Sequence, residues 1–155
     1  MTLKNFADNL AVFAITLWVG GLWAIGYMAA PTLFANLPDR ALAGMLAGKL
    51  FTLIAYVGMA CGFYLLIFRL ARMGVAALKQ KVFWLVLVML VLTIAGHFGI
   101  QPVIAGLKAQ AMPREVMESA FRSRFATWHG VASIVYLVES LLGLWLIFQH
   151  KAGSR

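Results

Sequence analysis

Glu139 is the residue of this sequence with the most chemistry to offer. It stands alone in an otherwise uncharged stretch from Phe125 to His150, 14 residues after its start. If that stretch crosses a bilayer, the carboxyl lies near the centre, where a carboxylate costs at least ~2.5 kcal/mol on insertion scales. It must then face other protein, and be protonated or hydrogen-bonded. No lysine or arginine occurs at comparable depth in the other apolar stretches. The expected partners are therefore hydroxyls: Thr93, Tyr64 and Tyr136. Two roles follow, a bond holding helices together or a proton or ion relay through Glu139, Tyr136 and Thr93.

His97 and His129 form the second candidate. Counting from the ends of their stretches, and with opposite helix directions, both fall at a similar depth near one face. Such a pair suits copper, with Met28, Met112 or Met117 as soft thioether ligands. It equally suits haem b, whose iron it would hold from two sides. The plainer alternative is two interfacial histidines bonded to Gln101, Ser133 or a carbonyl. His129, Ser133, Tyr136, Ser140 and Gly143 follow one stripe of the same helix, with Glu139 beside it. His150 reads as an ordinary interface residue. Cys61 is the only cysteine, so there is neither an intramolecular disulfide nor a Cys-x-x-Cys pair. No HExxH, paired carboxylates or Ser–His–Asp arrangement occurs. The reading leans away from an enzyme, with a haem-binding oxidoreductase or electron-transfer subunit as the alternative.

The elements that must position these groups are set by composition. Of 155 residues, 63% are hydrophobic and 12% charged, with mean hydropathy +0.90. A soluble domain carries about 25% charged residues, so this chain cannot build a water-facing surface. Disorder and nucleic-acid binding are excluded with it. No charge occurs from Asn9 to Pro38, Leu50 to Phe68 or Val82 to Leu107, and Glu139 alone interrupts Phe125 to His150. A crossing needs ~20 apolar residues. The fold expected is an all-α integral membrane protein, one four-helix bundle over residues 1–155, with spans near 10–34, 48–68, 82–105 and 126–149. The first span is too long and aromatic for a cleaved signal, whose apolar core runs ~7–15 residues, and is expected to stay as an anchor.

Orientation follows from Lys and Arg in short loops. The side of the termini and second loop has seven basic residues and one acid; the other has six basic residues and three acids. The loop from Arg69 to Lys81, with four basic residues and no acid, decides for cytoplasmic termini. That loop is also the expected contact with anionic lipid, worth ~1 kcal/mol per basic residue. Pro38 with Asp39, and Pro113 with Glu115 and Glu118, read as helix starts. From Pro113 the fourth helix would run to Gln149, and from Pro38 the second to Arg69. Both would extend beyond the outer face and pack on each other, the fourth through Val116, Met117, Ala120, Phe121 and Arg124. Helix packing is assigned to Gly20, Gly44, Gly48, Gly58, Gly62, Gly96 and Gly99, since close backbone approach drives association in lipid. Such faces serve a homo-oligomer or a membrane-complex partner equally well.

The order of features resembles a known family. Leu17-Trp18-Val19-Gly20-Gly21-Leu22-Trp23 runs into Ala30-Pro31-Thr32-Leu33-Phe34. Then come Ala43-Gly44-x-x-x-Gly48-Lys49-Leu50-Phe51 and Phe125-Ala126-Thr127-Trp128-His129-Gly130-Val131-Ala132-Ser133. Together, over roughly residues 10 to 148, they resemble the bacterial domain-of-unknown-function family related to human transmembrane protein 205. More distantly they are similar to the four-helix membrane domains grouped with copper-resistance protein D and a haem-dependent protoporphyrinogen oxidase. The resemblance implies a four-helix bundle in the bacterial inner membrane, whose function is largely unassigned. The methionine-rich soluble parts that accompany some copper-resistance proteins are not in this sequence. The function expected is handling or sensing of a small solute or metal ion, or support of a membrane assembly.

Overall fold

The computed structural model describes residues 3–111 and 120–152, and nearly all of them are helical. The first helix covers residues 3–36, the second Arg40–Met73 with a 3₁₀ continuation Gly74–Lys79, the third residues 81–111 and the fourth Arg122–Ala152. All four are long and apolar enough to cross a membrane. The chain is thus an all-α multi-pass membrane protein, and its four-helix bundle is as the charge gaps predict.

Local chemistry sets the ends. Asp39 caps the second helix, its Oδ1 accepting from Ala41 N at 2.8 Å and Leu42 N at 3.0 Å. The same helix stops at Gly74, whose φ of +54° a side chain would disfavour. Its 34 residues span about 51 Å, well past the ~30 Å hydrocarbon core. The predicted extension is present, but it packs on the first and third helices. Ala43 and Ala47 are buried, and Lys108 Nζ donates to Gly44 O at 3.3 Å. The matching extension of the fourth helix at Pro113, Val116 and Met117 lies outside the described residues, as does the side chain of His150. Ala120 and Phe121 form a turn, so the fourth helix opens at Arg122 and does not run through from Pro113.

Neighbours in sequence pack side by side, and the fourth helix returns to the first. At one end Arg72 pairs with Asp8 at 3.1 Å and Tyr64 donates to Ala7 O at 3.0 Å. The start of the first helix and the end of the second therefore share a face. Trp18, Val19, Val86, Met89 and Leu146 fill the centre, while Ile67, Ile134 and Phe148 face outward, where lipid would lie.

The first and third helices share an irregularity. Each widens into a π segment, Ile25–Ala29 and Ala95–Ile100. In each case a proline, Pro31 or Pro102, follows two residues later. Proline has no N–H to donate and its ring crowds the carbonyl four residues back. Widening the preceding turn relieves both problems, and such turns are frequent at functional sites.

Candidate functional site

The π segment of the third helix lines a cavity between the helices through Gly96, His97 and Ile100, and Glu139 forms part of its wall. The carboxyl is 4% exposed and Thr93 is 6% exposed. Thr93 Oγ1 lies 2.6 Å from Glu139 Oε1 and 3.0 Å from Met89 O. The hydroxyl has one hydrogen to give. With Glu139 as a carboxylic acid, the acid donates to Thr93 and Thr93 donates to Met89 O, so both contacts are hydrogen bonds. With a carboxylate, Thr93 must turn its hydrogen to Glu139. The indole N–H of Trp18 faces the same carboxyl without completing a hydrogen bond.

Of the three expected partners of Glu139, Thr93 alone bonds it. Tyr136 donates instead to Leu22 O at 2.6 Å, just before the first π segment, and its ring lies against Gly26. Tyr64 is spent at the other end, on Ala7. Ser140, fully buried next to Glu139, donates to Tyr136 O at 2.8 Å.

The cavity offers about 60 Å³ of room for water. Phe51, Ile54 and Ala55 of the second helix line one side, and Ala132, Val135, Tyr136 and Glu139 of the fourth line another. The third helix contributes Thr93, His97 and Gln101, four residues apart and so on one stripe. His97 sits in the π segment with its ring edge-on to Tyr56 at 4.8 Å and Phe98 at 4.7 Å. Its Nδ1 is buried and makes no hydrogen bond. The ionisable groups of the wall are Glu139, His97 and Tyr136.

His129 is not part of this site. The Thr93–Glu139 contact fixes the register of the third helix against the fourth. His97 lies four residues outward from it and His129 ten, so the two differ by six residues, or about 9 Å in depth. His97 is among the residues lining the cavity and His129 is not. His129 stacks instead on Phe125 at 5.5 Å, and Lys108 lies over the same ring at 5.9 Å. Among the described residues no group of three or more His, Cys, Asp or Glu side chains is placed to hold a metal.

The glycines divide sharply. A side chain at Gly58 or Gly62 would run into Trp18, and these two are packing positions as expected. Gly44 is in ordinary contact with Lys108 and Phe34. Gly20, Gly48, Gly96 and Gly99 have nothing within 4 Å of the place a Cβ would take, so they mark no helix contact in the described chain. The tight positions beyond Gly58 and Gly62 are Gly21 against Ile54, Gly26 against Tyr136 and Gly143 against Val19 and Met89. The π segments and the cavity were outside the sequence reading. Their signal was present in Pro31 and Pro102, each inside a long apolar helix.

Comparison with known proteins gives one family. The model of the domain of unknown function DUF4149 matches residues 13–113. No curated protein and no solved structure matches the chain.

Proposed function

The chain belongs to the DUF4149 family, and we propose that it is a non-enzymatic, proton-linked membrane protein in which Glu139 takes up and releases the proton. One observation carries this reading: a carboxyl 4% exposed, bonded to a hydroxyl instead of a cation, beside a cavity that also holds a histidine. A purely structural hydrogen bond in lipid averages only ~0.6 kcal/mol, while burying the charged form costs several times more. That imbalance favours a group kept for its proton. Thr93 supplies the means of exchange. In the acid form its hydrogen points to Met89 O; on loss of the proton it turns to Glu139 Oε1 and stabilises the carboxylate. One hydroxyl rotation thus accompanies each transfer, with no movement of a helix.

The protein belongs, in this reading, to a bacterial inner membrane with both termini cytoplasmic, and loop 69–81 meets anionic lipid. The likeness to relatives of human transmembrane protein 205, whose function is largely unassigned, sets no competing activity against it. Copper and haem b are no part of this reading, which rests on Glu139 and the cavity beside it. The test is proton exchange by the reconstituted protein itself after a pH step, read from the infrared band of its protonated carboxyl. Wild type should show a protein-dependent response, and Glu139→Gln should fold normally and lose it. A Glu139→Gln response equal to wild type would sink the proposal.

A further inference from the structure

The surroundings of Glu139 differ on its two sides along the membrane normal. Toward the end that carries the turn at residues 37–39, the cavity walls run from Thr93 to Gln101 and from Glu139 back to Ala132. Toward the opposite end, Trp18, Val86, Met89 and Leu146 are each no more than 1% exposed. Gly143 there leaves so little space that a Cβ would sit 3.1 Å from both methyls of Val19 and 3.4 Å from Met89 Cε. Gly58 and Gly62 bring the second helix just as close to the Trp18 ring. The polar atoms on that side, the Trp18 N–H and the Ser140 hydroxyl, lie next to Glu139, and Val86, Met89 and Leu146 beyond them are apolar and cannot pass a proton.

We propose that the cavity is a one-sided aqueous half-channel. A short file of water runs from Glu139 past His97 to Gln101 and opens toward the face carrying residues 37–39 between the fourth helix and the buried Ala47, Ile104 and Leu107. The Trp18–Met89–Leu146 layer closes the carboxyl off from the face carrying the termini. The inference rests on the reading of Glu139 as the proton site and adds its route and sidedness. A water needs ~10–15 Å³ of such space and 2–4 polar partners. The cavity's 60 Å³ holds several, so the file has room. The buried, unbonded Nδ1 of His97 is a partner waiting in the wall, and the amide of Gln101 and the Glu139–Thr93 pair supply others. Phe51, Ile54 and Val135 keep the path narrow and exclude bulky solutes. The occupant is therefore water with an excess proton.

Accessibility decides this. In a Cys61→Ser background, single cysteines replace Ile100, Ala132 or Val135 in the wall, Met89 or Val86 in the sealing layer, and outward-facing Ile134. Gln80 and Gln110 mark the two aqueous faces. Sealed vesicles of each orientation are treated with a charged, membrane-impermeant methanethiosulfonate. The wall cysteines should react from the face where Gln110 reacts, and the layer cysteines and Ile134 from neither. Reaction of Met89 or Val86 from the Gln80 face, or of the wall cysteines from both faces or from neither, would overturn the half-channel. Three wall positions guard against one variant failing to fold. The outcome is separable from that at Glu139. One-sided labelling with a normal Glu139→Gln proton response keeps the half-channel and removes the proton site; two-sided labelling with a lost response does the reverse.

Discussion

Replacing Gly58 by alanine should loosen the bundle at a place where the geometry gives the size of the effect. The added methyl would overlap the indole Nε1 of Trp18 and stand 3.0 Å from Cδ1 and 3.1 Å from Cε2. Trp18 is fully buried, and the far edge of its ring is held by Gly62 and Leu90 side by side, so it has nowhere to retreat. Overpacking of this kind costs about 1–3 kcal/mol. Alanine in place of glycine returns about 0.5–1 kcal/mol through the helix backbone. The net loss should be about 1 kcal/mol, within a range of about 0–2.5 kcal/mol. Gly20→Ala is the control, because nothing lies within 4 Å of its Cβ position. It should be neutral or gain up to ~1 kcal/mol. Reversible unfolding in mixed micelles measures both. A further Trp18→Phe change removes the Nε1 edge, so the Gly58→Ala penalty should shrink in that background, as coupled neighbours require. Equal stability of Gly58→Ala and Gly20→Ala would refute the packing argument.

Thr93→Val should cost about 0.6 kcal/mol, and at most ~1.7, through loss of its 2.6 Å bond to Glu139. The same change should cost nothing from that bond in a Glu139→Leu background, and a double-mutant cycle without coupling would contradict the pairing. Pro102→Ala restores the missing donor to the third helix, so Ala95–Ile100 should relax toward regular α-helix. NMR Cα shifts of that segment would report it, and unchanged shifts would remove proline as the cause of the π turn. For topology, a cysteine at Gln80 in the Cys61→Ser background should react only from the cytoplasm and one at Gln110 only from outside. The opposite pattern would invert the orientation and leave the bundle intact.

Charge exclusion made the four helices legible, because the bilayer penalises each buried charge separately. It did not give their lengths. The spans read at 10–34 and 82–105 extend to residues 3–36 and 81–111, since Asp8 and Lys108 continue a helix once outside the apolar zone. Thr93 was legible as one of three hydroxyls that a deep carboxyl could bond, together with Tyr64 and Tyr136, and it alone bonds Glu139. Tyr64 fails as its partner on level alone, being held at the opposite end by Ala7. The equal depth read for His97 and His129 came from counting each from its own apolar edge, and those edges are not at one level. Only the contact between Thr93 and Glu139 sets the register. Glycine spacing likewise names a helix face without saying whether a neighbour or lipid covers it. Gly58 meets Trp18 and Gly20 meets nothing, and the spacing of the two is the same in kind.

The account stands on Glu139 exchanging its proton with one face of the membrane, and infrared difference spectroscopy observes that carboxyl directly. Reconstituted wild type, stepped in pH on the Gln110 side alone, should show a protonated-carboxyl carbonyl band that rises and falls with the step. The band should be absent from Glu139→Gln, shift in Thr93→Val, and ignore a pH step on the Gln80 side. A pH-dependent carboxyl band that persists in Glu139→Gln, or a Glu139 band that no pH step from either face can move, would contradict the account.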